Sequence, residues 1–383
     1  MKSRKLIRTV FFLSVCFTSF AMLYAGGSEE MEIEDIDGTV IVDGMGRTVA
    51  VPEAPEHVIC SGAGCLRLLV YLRAQDRIVA VDDIEKSRPM FKARPYLLAN
   101  PQFKSYPLFG EFRGHDNPEL IAGLDPQPDI IFKTYGQMGY DPDELQDKTG
   151  IPVVVLNYGD LLDYREDLYS SLRVMGRILG KTERAEEVVA FFDGIIADLD
   201  RRTQDVPDEL KKSCYVGGIA FKGPHGLQST EPAYPPFLLI NAKNLAYDPS
   251  RPLGELSHAD VAKEKLVEWD PEYLFIDLAT IQSGKSSGAL YELRNDPAFK
   301  TLSAVKHGKL FGVLPYNWYT QNFGSTLADA YFIGTVLYPQ RFADVDPEKK
   351  ADDIYEFLVG KPVFDEMDAL FQNLGFKRIT LED

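Results

Sequence analysis

The sequence predicts an α/β protein with two Rossmann-like lobes, each built on a mainly parallel sheet, joined by one long helix. Residues 117–132 and 263–276 share one design, in which a glutamate opens a short apolar helix, a proline follows and an apolar strand comes next. Proline lacks the N–H that a helix needs, and wholly apolar strands are typical of parallel sheets covered on both faces. Residues 160–205 contain no proline and repeat apolar residues at helical spacing.

The N-terminus has the pattern of a secretory signal peptide. Residues 1–8 contain four basic residues, residues 10–24 carry no charge, and Ala25 precedes Gly26-Gly27-Ser28. The apolar run is shorter than the roughly 20 residues that a membrane-spanning helix needs. We therefore expect residues 1–25 to be removed and the chain to be periplasmic, with a lipid anchor at Cys16 as the less favoured alternative. Residues 26–38 are acidic and are expected to form a tether.

Charge and length limit the classes of partner. The net charge is −17 at pH 7, and loss of the four basic residues with the signal peptide changes it to −21. Such a surface is expected to be repelled by nucleic acid and by anionic membranes, so no nucleic-acid partner is expected. The remaining chain exceeds one hydrophobic core, which predicts two domains.

The N-terminal lobe is predicted over residues 39–158. Two β-branched runs around an Asp-Gly turn predict a hairpin at residues 39–51. The other predicted elements are strands at residues 58–60, 77–81, 129–132 and 153–156, helices at residues 66–73 and 142–149, and a long loop at residues 86–110.

The linking helix is predicted over residues 159–205, with a break near Gly180, and the C-terminal lobe over residues 206–383. The lobe's predicted elements are strands at residues 214–216, 272–276 and 309–313, a loop at residues 221–237, a helix at residues 324–337 and closing helices within residues 346–374. Ligands of open α/β sheets bind at the carboxyl ends of the strands. We therefore predict a ligand cleft between the lobes, lined by the loops after the strands.

Several motifs, in this order and spacing, resemble one family of proteins. They are Val42-Asp43-Gly44-Met45-Gly46-Arg47 with Pro52, Asn117-Pro118-Glu119, Glu264 seven residues before Pro271, Tyr316-Asn317-Trp318-Tyr319, Leu327-Ala328-Asp329-Ala330-Tyr331 and Leu337-Tyr338-Pro339. Together they are similar to the substrate-binding proteins of ABC importers, in the helix-linked subclass that carries ferric siderophores, haem and cobalamin. The resemblance covers roughly residues 39–375.

The resemblance implies a set of partners. In this family one glutamate per lobe pairs with arginines of the membrane permease, and the matching residues here are Glu119 and Glu264. Each glutamate has an alternative role, which is to stabilise the start of its own helix. The resemblance further implies a monomer that is not an enzyme, with ATP hydrolysed by a separate subunit. It implies no cofactor of its own, because a metal would arrive inside the bound chelate.

The predicted ligand-binding residues are the polar and aromatic side chains at the loop ends. Aromatic rings suit a flat chelate, and arginines suit an anionic one. The candidates are Ser61, Arg67, Arg113, Tyr135, Tyr158, His225, Tyr316, Asn317, Trp318 and Tyr319. The five histidines are scattered without the spacing of metal ligands, so no metal site is predicted.

Three alternatives remain open from the sequence. A molybdate or tungstate oxyanion would favour donors such as Ser61, Gly62 and Arg67 over an aromatic floor. An exported metal chelatase or hydrolase is compatible with a similar two-lobed fold. A ligand sensor would present its acidic pair to a receptor instead of a permease.

Overall fold

The computed structural model describes residues 40–87 and 93–381. The predicted signal peptide and acidic tether lie outside them. The strands of the described chain are short and are mostly buried. They are β1 (Val40–Val42), β2 (Thr48–Ala50), β3 (Val58–Ser61), β4 (Val81–Asp82), β5 (Leu108–Glu111), β6 (His115–Asp116), β7 (Ile130–Thr134), β8 (Val153–Leu156), β9 (Ser213–Gly217), β10 (Ser229–Thr230), β11 (Lys243–Asn244), β12 (Ala259–Asp260), β13 (Tyr273–Asp277) and β14 (Leu310–Val313).

The α-helices range from single turns to six turns. They are α1 (Cys65–Tyr71), α2 (Ile84–Ser87), α3 (Pro95–Ala99), α4 (Pro118–Ala122), α5 (Pro142–Thr149), α6 (Arg165–Ile178), α7 (Thr182–Thr203), α8 (Pro235–Leu239), α9 (Lys263–Trp269), α10 (Ala289–Asn295), α11 (Ser303–Lys306), α12 (Phe323–Leu337), α13 (Pro347–Val359) and α14 (Phe364–Leu370). Within the described residues no helix is long and apolar enough to cross a membrane.

The N-terminal lobe is built on a parallel sheet of order β3-β7-β8, in which every residue of the three strands is buried. A smaller sheet, β4-β5-β6, lies beside it. The β1-β2 hairpin attaches to β8 through its turn, because the Asp43 carboxylate accepts the Val155 N–H at 3.0 Å and Gly44 N donates to Val155 O at 2.8 Å. The turn motif noted in the sequence is therefore a structural anchor.

The C-terminal lobe is built on a parallel sheet of order β11-β9-β13-β14. Its central strands are almost fully buried, as the apolar runs of the sequence predict. Two consecutive helices, α6 and α7, connect the lobes, and Gly180 lies in the left-handed region between them at φ 64°. The predicted break is confirmed, and so is the fold class of two mainly parallel α/β lobes joined by a long helical connection.

Three predictions of local structure are wrong. In the predicted strand at residues 77–81, Gln75–Arg77 form a 3₁₀ turn and only Val81–Asp82 are strand. The predicted loop at residues 86–110 contains α3 and β5 and overlaps the end of α2, and the predicted loop at residues 221–237 contains β10 and α8. These elements are too short to show a hydrophobic period, and they depend on tertiary contacts such as the buried Arg94–Glu85 ion pair at 2.8 Å.

Candidate ligand-binding cleft

A cleft of about 740 Å³ opens at the carboxyl ends of the strands, between the two lobes. Segments after β3, β4, β5 and β7, together with residues 317–320 after β14, supply one wall, and the loop after β9 supplies the other. The lining side chains are mainly aromatic and apolar, with two cations, Arg113 and Lys222, and no carboxylate. The full lining is Ala63, Ile84, Phe112, Arg113, Tyr135, Met138, Ala220, Lys222, Gly223, Asn317, Trp318, Tyr319 and Thr320.

Residues 316–321, which we name the bridging segment, follow β14 in the C-terminal lobe but bind to the N-terminal lobe. Arg67 of α1 donates to three carbonyls of this segment, those of Trp318 (3.2 Å), Tyr319 (3.2 Å) and Gln321 (2.7 Å). The Tyr158 hydroxyl also donates to Gln321 O, at 2.6 Å. Arg67 is 1% exposed, so these are buried contacts.

The side chains of the bridging segment add further contacts to the N-terminal lobe. The Tyr319 hydroxyl donates to Asp82 Oδ2 at 2.6 Å and accepts the Arg113 N–H at 3.0 Å. The hydroxyls of Tyr135 and Thr320 lie 2.8 Å apart. Tyr319 and Thr320 both adopt positive φ, 52° and 62°. A positive φ raises the conformational energy of a non-glycine residue. The hydrogen bonds described above hold Tyr319 and Thr320 in this conformation.

Two tyrosines of the bridging segment each meet a buried carboxyl group, on opposite sides of the cleft. Tyr319 meets Asp82 in the N-terminal lobe, and Tyr316 donates to Glu231 in the C-terminal lobe. Burial and the nearby charge of Glu85 together raise the pKa of Asp82 to about 8, although the Tyr319 hydrogen bond opposes the shift. Burial likewise raises the pKa of Glu231 to about 8, although the Tyr316 hydrogen bond opposes the shift. Both pairs therefore favour the protonated acid near neutral pH.

The loop after β3 requires glycine because its backbone is left-handed and neighbouring atoms leave no room for a Cβ. Gly64 has φ 81°, and a Cβ there would overlap the Tyr158 ring and lie 2.6 Å from Thr320 Cγ2. Gly62 has φ 84° and packs against Thr134 in the same way. The Gly-Ala-Gly turn of the sequence thus lets α1 bring Arg67 beneath the bridging segment.

The opposite wall of the cleft is formed by Ala220, Lys222 and Gly223, and we name residues 221–225 the outer loop. Phe221 and Lys222 are exposed, and Lys222 has φ 57°. Two hydrogen bonds of this loop are local: Phe221 N donates to Gly223 O at 2.9 Å, and His225 Nε2 lies 2.7 Å from Phe221 O. A third reaches outside the loop, because the Thr280 hydroxyl donates to His225 O at 2.7 Å. The Phe221 ring stacks on His258 at 4.1 Å, and burial lowers the pKa of His258.

Ser61 lies beneath the cleft in a buried charge network. Its hydroxyl donates to Asp116 Oδ1 at 2.6 Å, and Lys133 Nζ donates to Asp116 Oδ2 at 2.6 Å and to Gly114 O at 3.0 Å. Burial raises the pKa of Asp116, and the Lys133 charge opposes this. All three side chains are at most 5% exposed, so the network ties β3, β6 and β7 together.

The structure brings half of the predicted ligand-binding residues to the cleft surface. Arg113, Tyr135, Asn317, Trp318 and Tyr319 line it. Ser61, Arg67, Tyr158 and Tyr316 are buried beneath it, and His225 lies in the outer loop without lining the cleft.

Eight lining residues were not predicted from the sequence: Ala63, Ile84, Phe112, Met138, Ala220, Lys222, Gly223 and Thr320. Lys222 could have been predicted as a polar side chain in a loop after a strand, since it follows Phe221 there. No similar signal marks Ile84, because its contact with Ala63 and Tyr319 joins distant parts of the chain.

Glu119 and Glu264 are both exposed in the first turn of a short helix. Asn117 caps α4, since its side-chain oxygen accepts the N–H groups of Glu119 and Leu120 at 3.0 and 3.1 Å. Because Asn117 performs this capping, the Glu119 carboxylate is not needed for it. Among the residues that the structure describes, no cluster of three or more His, Cys, Asp or Glu side chains converges to hold a metal ion.

Comparisons with known proteins relate this chain to periplasmic binding proteins. The sequence profile of the family described as periplasmic binding protein matches residues 58–315. The molybdate-binding protein MolA of Haemophilus influenzae is 23% identical over 344 residues, covering 83% of this chain and 90% of that protein. The structure of MolA bound to molybdate has a TM-score of 0.62 at 21% identity, covering 84% of this chain and 98% of that chain.

Two further solved structures share the fold. A periplasmic solute-binding protein of Veillonella parvula has a TM-score of 0.65 at 17% identity, covering 87% of this chain and 96% of that one. The periplasmic haem-binding protein HutB of Vibrio cholerae has a TM-score of 0.52 at 20% identity, covering 74% of this chain and 100% of that one.

Proposed function

Because this chain belongs to the periplasmic binding protein family, we propose that it is the solute-binding protein of an ABC importer and captures an anionic metal chelate between its lobes. The chelate class is a ferric siderophore, haem or a related corrinoid. The observation that carries the proposal is the cleft itself, which combines aromatic walls with one cation from each lobe and no lining carboxylate.

The chemistry of the lining favours a ligand that is both flat and negatively charged. Arg113 and Lys222 offer charge from opposite walls, and the rings of Phe112, Tyr135 and Trp318 offer stacking faces. The buried Oδ1 of Asn317 has no hydrogen-bond partner within the described chain and would accept a ligand donor. The cleft volume lies within the roughly 300–1,000 Å³ of sites for drug-sized ligands. A metal would be held by the chelate's own atoms.

A molybdate or tungstate oxyanion is the second candidate. It is favoured by the similarity to MolA and by one buried donor, Arg67 Nε, which lacks a partner among the described residues. The remaining geometry favours it less. The other donors of Arg67 are directed at the bridging segment and Tyr158, and the Ser61 hydroxyl donates to Asp116. An oxyanion would therefore depend on Arg113, Lys222 and backbone N–H groups.

We propose that the protein delivers its ligand to the permease through the two exposed glutamates selected from the sequence, Glu119 and Glu264. The chain is exported to the periplasm after loss of residues 1–25 and acts as a monomer. Glu119 and Glu264, exposed on separate lobes, would pair with arginines of the permease, whose ATPase subunit supplies the energy. All described elements lie within residues 40–381, so the exported chain (residues 26–383) contains the whole described fold.

The competing class is an exported chelatase or hydrolase. Binding is favoured over catalysis because the family and the reported relatives are binding proteins. In the proposed role the cleft residues bind and release the ligand unchanged, and no covalent step is assigned to any of them.

The test is thermal unfolding of residues 26–383 with ferric siderophores, haem, cobalamin, molybdate and tungstate. A ligand at about 100 times its Kd stabilises the folded state by ~2.7 kcal/mol, which raises Tm by a few degrees. We expect a shift with an anionic chelate, and a much smaller one in Arg113→Ala/Lys222→Ala. The matched control, Lys104→Ala, removes an exposed lysine outside the cleft. A shift with oxyanions alone would establish the second candidate, and no shift with any ligand would contradict both.

Docking is tested separately. Glu119→Ala/Glu264→Ala is expected to abolish uptake of the ligand in cells that depend on this importer while leaving the Kd of the isolated protein unchanged. The control exchanges two other exposed carboxylates, Asp147 and Glu366. Equal uptake by the two double variants would contradict the docking role.

A further inference from the structure

A second concave surface lies in the C-terminal lobe and shares no lining residue with the ligand cleft. It is a groove of about 630 Å³, which we name the basic groove. Its lining is Leu293, Arg294, Lys300, Val305, Lys306, His307, Gly308, Leu310, Arg378, Ile379, Thr380 and Leu381. Four lysines and arginines and one histidine therefore face one groove, and its lining within residues 40–87 and 93–381 contains no aspartate or glutamate.

The cations of the basic groove are not neutralised by ion pairs. Arg294, Lys300 and Lys306 are exposed, and none pairs with a carboxylate of the described chain. Arg378 donates only to backbone carbonyls, those of Gly308 and His307.

Neighbouring lysines behave differently. Lys263 pairs with Asp296, and Lys309 pairs with Glu272 at 2.7 Å. Uncompensated positive charge is thus concentrated in the basic groove, in a chain whose net charge is −17.

The local charge of the groove decides what approaches it. At physiological ionic strength the Debye length is about 8 Å, so distant acidic residues are largely screened. One carboxylate within electrostatic reach is Asp270. Burial acts to raise its pKa, but hydrogen bonds from Ser303 and the charges of Lys306 and His307 outweigh this and lower it. Its oxygens accept the Ser303 N–H and hydroxyl, both at 2.6 Å. Asp270 is therefore directed at the start of α11 and leaves Lys306 available to an external anion.

The floor of the basic groove is apolar. Leu293, Leu310 and Ile379 are buried, and Val305 and Leu381 are partly exposed. A ligand that combines a phosphate with an adjoining hydrocarbon part would match cations at the rim and aliphatic side chains below.

The basic groove is also connected to the helix that carries Glu264. Asp270, at the end of α9, holds Ser303 of α11, and Lys263, at the start of α9, pairs with Asp296 at the end of α10. The elements that line the groove and the predicted docking helix are thus fixed to each other. A membrane protein bound at Glu264 would bring this region of the lobe near a lipid surface.

We propose that the basic groove binds the phosphate headgroups of anionic phospholipids. The proposal goes beyond capture of the chelate, and it rests on the proposed function only in that Glu264 would face a membrane permease. It revises the expectation, drawn from net charge alone, that an anionic membrane repels the whole surface. An acidic protein as the occupant is the competing class, and the experiment separates it from lipid.

The experiment is co-sedimentation of residues 26–383 with vesicles of equal parts phosphatidylglycerol and phosphatidylcholine, and with vesicles of phosphatidylcholine alone. The variant is Lys300→Glu/Lys306→Glu. The control, Lys104→Glu/Lys285→Glu, makes the same change in net charge at exposed lysines outside the groove. All forms carry the same N-terminal tether, and their folding is compared by circular dichroism melting.

We expect the wild type and the control to bind the anionic vesicles and not phosphatidylcholine. Two lysines near an anionic surface each contribute enough that reversing both should weaken partitioning by at least about tenfold. Equal binding by the groove variant and the control would overturn the proposal, as would a wild type that ignores the anionic vesicles.

A second measurement, with inorganic phosphate, distinguishes a lipid headgroup from a free anion as the ligand of the groove. Binding of inorganic phosphate by the wild type, with sulfate inactive at equal ionic strength and with no binding to anionic vesicles, would overturn the lipid assignment in favour of a free anion. The assay contains neither chelate nor permease, so its failure is distinguishable from failure of the proposed function.

Discussion

The two walls of the ligand cleft differ in how they are held. The bridging segment is hydrogen-bonded across the molecule by Arg67, Tyr158 and Asp82, and its three aromatic side chains are buried. The outer loop bonds mainly to itself and exposes Phe221 and Lys222. One wall is therefore fixed before a ligand arrives, and the other is free to adjust.

The two walls are therefore expected to contribute to binding in different ways. A wall that is already ordered loses little conformational entropy when the ligand binds, which favours affinity. A locally bonded loop can change side-chain rotamers around ligands of different shape. The bridging segment also ties the C-terminal lobe to the N-terminal lobe next to the ligand. Any rotation of the lobes must carry it with α1 or break its hydrogen bonds to Arg67.

Removing Arg67 would break the fixed wall, and we expect the largest effect there. Arg67→Met removes the donors to three carbonyls of the bridging segment. Each buried polar group left unsatisfied costs about 1–3 kcal/mol, so the free energy of unfolding should fall by at least about 3 kcal/mol. Urea denaturation measures it. Arg67→Lys, which keeps a charge and a donor, should recover part of the loss. A fall below about 1 kcal/mol would show that the contacts do not hold the wall.

A methyl group at Gly64 should disturb the same wall by steric overlap. Gly64→Ala places a Cβ against Tyr158 and Thr320, in addition to the strain of φ 81°. We expect a loss of about 2–4 kcal/mol from strain and overpacking together. Gly46→Ala is the matched control, because Gly46 has φ 75° and nothing within 4 Å of the added Cβ. It should lose only about 1–2 kcal/mol. Equal losses would attribute the effect at Gly64 to backbone strain alone.

The free energy of unfolding should depend on pH through Glu231, which holds Tyr316 of the bridging segment. A carboxyl whose pKa is raised from 4.5 to about 8 binds more protons in the folded than in the unfolded state throughout that window. Its contribution to stability is therefore complete below the ordinary pKa and is lost as pH rises towards 8, by at most about 1.4 kcal/mol per pH unit.

Glu231→Gln cannot titrate, so its stability relative to the wild type should rise with pH across this window. Denaturant melts at a series of pH values measure the slope. Tyr316→Phe keeps the carboxyl and should keep the pH dependence. Parallel curves for the wild type and Glu231→Gln would contradict the raised pKa.

A substitution in the outer loop should change ligand affinity and should hardly change the free energy of unfolding. Lys222 is exposed and outside any ion pair of the described chain, so Lys222→Ala should change the free energy of unfolding by under about 0.5 kcal/mol. Its effect should be a weaker affinity for an anionic ligand, measured by calorimetric titration. A destabilisation like that of Arg67→Met would mean that the two walls are not held differently.

Much of the fold was predictable because local signals agreed with the final packing. The family resemblance drawn from the motifs is confirmed by the match to residues 58–315. The helix predicted at residues 142–149 is α5 in full, and Asp141 caps it just before Pro142. The strand at residues 153–156 was predicted in full from its apolar run. In each case neighbouring residues contain the information.

The parts that could not be predicted depend on contacts between distant residues. Arg67 was selected as a ligand contact by residue type, yet its observed partners lie in residues 158 and 318–321. A single sequence does not record such pairings. The short elements around Arg94 and Glu85 have the same origin, since a buried ion pair holds segments that lack a hydrophobic period. The ligand contacts themselves stay predictions.

The most direct test of the central claim is a fluorescence titration of a single-tryptophan protein. The chain has two tryptophans, and Trp269→Phe removes the one in α9 and leaves Trp318 in the cleft. If an anionic metal chelate binds against the bridging segment, it should change the Trp318 emission saturably, and Arg113→Ala/Lys222→Ala should weaken that response. Ligand binding that stabilises the protein while leaving Trp318 emission unchanged would place the ligand elsewhere and contradict the account.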